Sequence, residues 1–258
     1  MALTLKDVAN SRKQLPPRII LLGTEKIGKS TFGACAPNPI FIPIKGEEGI
    51  DNLDVQSFPT CMNFSMVMEA LNSLLTEQHG FGTVVIDSTS TLETLCFENC
   101  CARNNANSIE KVLGGYGKGY TEVLDEWRHL TELCDRLRKE RNMCSILIGH
   151  VAVKAFQDPI VGQYDHYIWD INKHAASMMF RWADSILFAS TKTVTVKEDA
   201  GFNKETKRAM DIGNGKRILF TQSRPSHPGG GRGAYGQLPY EIPFTWQDYM
   251  NAVSKANN

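Results

Sequence analysis

Nothing constrains this chain more than the octet GTEKIGKS, Gly23 to Ser30, which fits the spacing G-x-x-x-x-G-K-[ST]. Its flanks matter as much as its letters. RIILLG, Arg18 to Gly23, is a short branched apolar run that stops at glycine, and KSTFGACA, starting at Lys29, suits a helix that stops at Pro37. A strand that turns into a helix through such a loop aims consecutive backbone N–H groups at an anion. The loop residues Gly23, Thr24, Glu25, Lys26, Ile27, Gly28, Lys29, Ser30 and Thr31 are therefore assigned to a nucleotide's phosphates. Lys29 would reach the β and γ oxygens and Ser30 would ligate Mg2+.

The rest of the chain alternates in the same way. IFIPI (40–44) reads as a second strand, near an end or edge because of Pro43. SMVMEALNSLLTEQHG carries Met66, Val67, Ala70, Leu71, Leu74 and Leu75 at one-face helical spacing and ends at Gly80. TVVID (83–87) is the third strand, a helix follows over about 91–103, and the longest helix runs near 121–141. CSILIGH is the fourth strand. The stretch 151–172 is aromatic and polar without clear periodicity, KHAASMMFRWAD is helical and SILFAS extended. KTVTVK and KRILFTQ read as strands flanking a polar loop, and PFTWQDYMNAVSKA as a closing helix. This pattern predicts an α/β fold, a P-loop NTPase core whose mostly parallel sheet is flanked by helices, with antiparallel strands added at the C-terminal edge. In 258 residues one domain over 18–258 is expected, residues 1–17 forming an N-terminal segment available for subunit contact.

Asp87 ends the third strand, where a carboxylate completes a Mg2+ site with Ser30. Many ATP-hydrolysing machines place a glutamate next; here Ser88 follows. The second strand, however, leads into IPIKGEEGID, and neighbouring parallel strands end on the same crevice. Glu47 is thus the candidate for orienting and deprotonating water, with Glu48 in reserve. His150, after the fourth strand, can sense the γ-phosphate and pass its presence to the segment behind it. A second G-K pair, in GGYGKGY, has Gly119 where a hydroxyl residue is needed and no strand before it, so it is not a second nucleotide site.

Lys and Arg total 28 against 28 Asp and Glu, so any nucleic-acid surface must be a local patch. The first twenty residues lack a secretory apolar run and no stretch is long and apolar enough to span a bilayer, which predicts a soluble protein of the cytoplasm with no membrane partner. Seven scattered cysteines without a C-x-x-C pair read as reduced, buried thiols; Cys96, Cys100 and Cys101 share a helix but have no second ligand cluster.

With these motifs in view the chain resembles RecA-type recombinase cores, and among them phage RecA-like single-strand annealing proteins, also described as phage AAA-domain nucleotide-binding proteins. GTEKIGKS, EEGIDNLDV, VVIDSTS, GGYGKGY, IGHVAVKAFQDP and RWADSILFA carry the resemblance over most of 18–190. It implies a catalytic glutamate after the second strand, with Glu47 and Asp51 at the family's E-x-x-x-D spacing. It also implies a polar residue, here His150 where RecA has glutamine, coupling the nucleotide to DNA. Two DNA-contacting loops are implied as well: GGYGKGY with Tyr116, Lys118 and Tyr120, and 151–172 with Lys154, Phe156, Tyr164, His166 and Tyr167. Asp158, Asp165 and Asp170 dilute the charge of the second. GGGRGAYGQLP resembles a segment that reaches a neighbouring subunit's nucleotide; Arg232 is present, whereas Ala234 stands where a second cation is expected.

The resemblance implies an ATP- and Mg2+-dependent ATPase that binds single-stranded DNA, assembles as a homo-oligomeric ring or filament, works with a phage single-strand binding protein in the host cytoplasm, and promotes strand annealing or exchange. The alternative is a regulatory or packaging-associated ATPase acting on a protein. A GTPase is disfavoured because NKHA and NKET lack the aspartate of N-K-x-D.

Overall fold

A computed structural model describes residues 15–47, 49–158, 162–199, 205–211 and 215–257. Strand β1 (Arg18–Gly23) lies at the centre of the sheet, with Ile20 and Leu22 packed on one face and Ile19 and Leu21 on the other, all four fully buried. A strand covered on both faces needs an unbroken apolar run, which is what Ile19–Leu22 supplies. Past the loop come α1 (Lys29–Ala34), β2 (Pro39–Pro43), a two-residue β3 (Gln56–Ser57), α2 (Phe64–Thr76), β4 (Thr83–Asp87) and α3 (Thr89–Arg103). Then follow α4 (Gly119–Glu122), α5 (Leu124–Glu140), β5 (Cys144–Gly149), β6 (Val151–Asp158), β7 (Gly162–Trp169), α6 (Lys173–Trp182) and β8 (Ser185–Thr191). The chain closes with β9 (Thr193–Asp199), β10 (Glu205–Asp211), β11 (Arg217–Phe220), β12 (Gly230–Gly231), β13 (Glu241–Pro243) and α7 (Trp246–Asn257).

The main sheet has nine strands in the order β13-β11-β8-β1-β5-β4-β2-β3, with β12 also paired to β8. From β8 to β3 every pairing is parallel; β11, β12 and β13 are antiparallel additions. Helices α2, α3, α5 and α6 cover one face through Leu71, Leu92, Trp127 and Met179, and α1 and α7 cover the other through Phe32, Tyr249 and Val253. The α/β class, the two covered faces and the antiparallel C-terminal edge are as the sequence predicts. Pro43 is the last residue of β2, beyond which only the two residues of β3 pair, so its missing N–H costs little ladder.

Several boundaries differ. Helix α2 stops at Thr76 rather than Gly80 because His79 folds back, its Nε2 2.7 Å from the Leu74 carbonyl oxygen, ending the ladder. Helix α3 starts at Thr89 instead of 91, with Ser88 as its N-cap. The long helix expected over 121–141 divides at Val123 into α4 and α5. Of the two strands expected to flank a polar loop, β9 pairs with β10, which lies inside that loop, while KRILFTQ becomes β11 on the main sheet. The β9–β10 ribbon stands off the main sheet, so no core face imposes an apolar alternation on its sequence.

The segment 151–172, expected as a loop, is largely an antiparallel hairpin, β6–β7, in register from Val151↔Trp169 to Asp158↔Gly162. Only its base is buried, at Trp169. Beyond Tyr167, whose ring packs on Phe188, none of its described residues towards the tip is buried, which is why periodicity does not reveal it.

Candidate nucleotide site

The parallel registers bring the ends of four strands to one rim: Gly23 of β1 pairs with Ala189, Leu22 with Gly149 of β5, and Asp87 of β4 with both Ile148 and Pro43. Everything that leaves these strands in the forward direction enters one cleft. It measures about 1000 Å³ and is lined by Glu25, Lys26 and residues 28–31 of the loop, with Glu47, Asp87 and His150. Lys29 is buried, and its Nζ donates to the carbonyl oxygens of Gly23 at 2.9 Å and Thr24 at 2.8 Å, closing the loop on itself. Burial pulls the Lys29 ammonium below its ordinary pKa, and the charges of Asp87, Glu47 and Glu25 oppose that pull. Gly28 has φ 106°, a conformation open to glycine at no steric cost.

Ser30 Oγ donates to Asp87 Oδ2 at 2.6 Å. The backbone at Gly49 closes over this pair: a β-carbon there would lie 2.8 Å from Ser30 Oγ and 3.5 Å from Asp87 Oδ2. A hydroxyl and a carboxylate are hard oxygen donors of the kind Mg2+ takes, alongside phosphate oxygens and water. Burial raises the Asp87 carboxyl above its ordinary pKa; the Ser30 hydrogen bond opposes this and the charge of Glu47 adds to it. A desolvated carboxylate beside a hydroxyl suits a divalent cation. Ser30 and Asp87 would hold the ion and the loop 23–31 the triphosphate, where Mg2+ neutralises charge on the phosphate oxygens.

Glu47 reaches the same place from β2. Its Oε1 accepts from Ser88 Oγ at 2.6 Å and lies 3.1 Å from His150 Nε2. Burial raises the Glu47 carboxyl, but hydrogen bonds from His150 and Ser88, with the charges of His150 and Lys29, outweigh it and hold the group below its ordinary pKa. The two acids are thus driven apart, Asp87 upward and Glu47 downward. An ionised Glu47 fixed by two donors is suited to orienting a water molecule and accepting its proton late. Ser88, standing where a glutamate follows the aspartate in many ATPases, here orients the glutamate that comes from another strand. Glu48, the reserve candidate, lies outside the described residues.

His150 also connects the cleft to the hairpin. Its N–H donates to Ser90 Oγ at 3.1 Å and its carbonyl accepts from Asp170 N at 3.0 Å, so the residues just before β6 and just after β7 are tied together at the cleft wall. On one face of the hairpin Lys154 pairs with His166 and Phe156 with Tyr164, the Phe156 and Tyr164 rings lying 5.6 Å apart. Asp165 alternates to the opposite face and Asp170 lines the nucleotide cleft, whereas Asp158 holds a register position of the same parity as Lys154 and Phe156.

The remaining candidates are dispersed. Tyr116 is 99% exposed and Lys118 exposed, whereas Tyr120 packs edge-on against Phe97 of α3, ring centres 5.9 Å apart, and so does not join Tyr116 as an open aromatic face. Arg232 is exposed at the opposite rim of the sheet, its N–H bonded to the Asp184 carbonyl beside the start of β8, away from this chain's own cleft. Ser88, Ser90, Asp170 and Arg217 belong to the site or its wall, and the sequence reading assigns none of them to it. Each depends on a partner far along the chain, and only the hydroxyl run Ser88–Ser90 beside Asp87 offered a local clue. The seven cysteines are free.

Strand order, phosphate loop and converging acids define a P-loop nucleotide-binding domain of the ATPase class. Residues 15–233 match the AAA domain family, and the chain belongs to it. A search of curated proteins returned no match. Among the described residues no helix is long and apolar enough to cross a membrane.

Proposed function

We propose that this AAA-domain protein is an ATP- and Mg2+-dependent single-stranded DNA-binding protein that promotes strand annealing or exchange in phage homologous recombination, working as a homo-oligomer. One observation carries the reading. His150 touches Glu47 through its side chain and the foot of the β6–β7 hairpin through its backbone, so one residue links the γ-phosphate position to a hairpin face on which Lys154 and Phe156 are exposed and Tyr164 and His166 partly exposed. Aromatic rings beside cations suit unstacked bases and their phosphates. Bound ATP would set the position of Glu47 and His150, and with them the hairpin; hydrolysis would release it.

Lys29→Ala is expected to abolish ATP-stimulated binding of a labelled oligonucleotide in a mobility-shift assay, while ATP-independent binding persists. Full stimulation in that variant would sink the coupling. The exposed apolar residues Val153, 59% accessible, and Phe156, 47%, favour a second reading in which the hairpin grips a protein partner. Absence of any oligonucleotide shift, with or without ATP, would select it.

A further inference from the structure

We propose that Arg217 is a phosphate-binding residue of the nucleotide site, supplied in cis by the antiparallel edge of the sheet and contacting the α- and β-phosphate oxygens of a nucleoside di- or triphosphate. The inference rests on the cleft being a nucleotide site and adds a residue that the phosphate-loop motif does not contain. Arg217 is the first residue of β11, paired with Thr191 at the end of β8, and its carbonyl accepts the Phe244 N–H at 3.2 Å. The backbone is therefore anchored while the side chain reaches across the rim. A β-carbon on Gly28 would lie 2.7 Å from Arg217 Nη1 and 3.8 Å from the Phe244 ring, so the guanidinium sits directly against the phosphate loop.

Two features separate this arginine from an ordinary surface cation. Arg217 is exposed and lines the same cleft as Lys29, Ser30 and Asp87, yet its side chain makes no ion pair or hydrogen bond with any other described residue. Glu25, Glu47, Asp87 and Asp170 also line that cleft, so acids stand close by and the guanidinium is committed to none of them. Its five donors form a planar fork that matches phosphate oxygens, and a triphosphate brings more negative charge than Lys29 and one Mg2+ neutralise.

The test is calorimetric titration of ATP, ADP and adenosine, with Mg2+, into the wild-type protein and into Arg217→Ala, Arg217→Lys and Lys29→Ala, each first checked for an unchanged thermal melt. Arg217→Ala is expected to weaken ATP and ADP about ten-fold and leave adenosine unchanged, with Arg217→Lys recovering part of the loss. In turnover the penalty should appear in KM more than in kcat. Unchanged ATP affinity in Arg217→Ala overturns the proposal, as does an equal loss for adenosine, which would put the guanidinium on the base. If Lys29→Ala also binds ATP as tightly as wild type, the nucleotide site itself is wrong; if only Arg217 proves silent, this inference alone falls.

Discussion

Replacing Ser88 by alanine probes the most particular feature of the site. The substitution removes the 2.6 Å hydrogen bond to Glu47 and leaves the 3.1 Å contact with His150 as the other support of the carboxylate. A hydrogen bond to a charged group contributes about 1.5–3 kcal/mol, and here the low end applies because Glu47 is only partly buried and water can replace the donor. About 1.4 kcal/mol in the barrier corresponds to roughly ten-fold in rate. Ser88 also caps α3, but over a long 3.5 Å contact with Thr91 N, so the stability cost is small, ~0.5 kcal/mol. ATP turnover measured by phosphate release is therefore expected to fall about ten-fold in kcat, with KM nearly unchanged, because Ser88 bonds the glutamate rather than the phosphate loop. A wild-type kcat in this variant, or a loss confined to KM, would refute the assignment of Ser88 as the residue that orients Glu47.

Two further outcomes follow from other parts of the molecule. Buried Asp184 binds Arg18 through both carboxylate oxygens and Arg138 at 3.1 Å; burial raises its pKa, but these partners outweigh burial and hold it below the ordinary carboxylate value. Stability from this group is present at neutral pH and lost as pH falls through that depressed value, so Asp184→Asn should lower unfolding free energy by ~3 kcal/mol at pH 7, with the gap narrowing in strong acid in urea titrations. On the proposed DNA-binding surface, Phe156→Ala and Tyr116→Ala should each weaken oligonucleotide binding without lowering the melting temperature. Tyr120→Ala should lower the melting temperature instead, since that ring packs on Phe97; equal DNA effects of all three without any loss of stability would contradict this division.

What could be read from sequence follows the range of the forces involved. The phosphate loop and Asp87 are local patterns, a strand, a turn and a helix start within a dozen residues, and they specify themselves. Glu47 was reachable because parallel strands must end at a shared rim. Ser88 facing Glu47, and Arg217 facing Gly28, depend on contacts between residues far apart in the chain, and spacing carries no record of them. The β6–β7 hairpin escaped for a different reason: a ribbon with little buried surface has no need of alternating apolar residues, so its sequence resembles a loop.

The central claim, that Lys29, Ser30, Asp87 and Glu47 serve one triphosphate, is met most directly by measuring ATP affinity and phosphate release together for Glu47→Gln. ATP binding is expected to stay within about two-fold of wild type, because Glu47 does not hold the phosphates, and turnover to fall by ~100-fold or more, because the water loses its acceptor. Wild-type turnover in Glu47→Gln would contradict it outright.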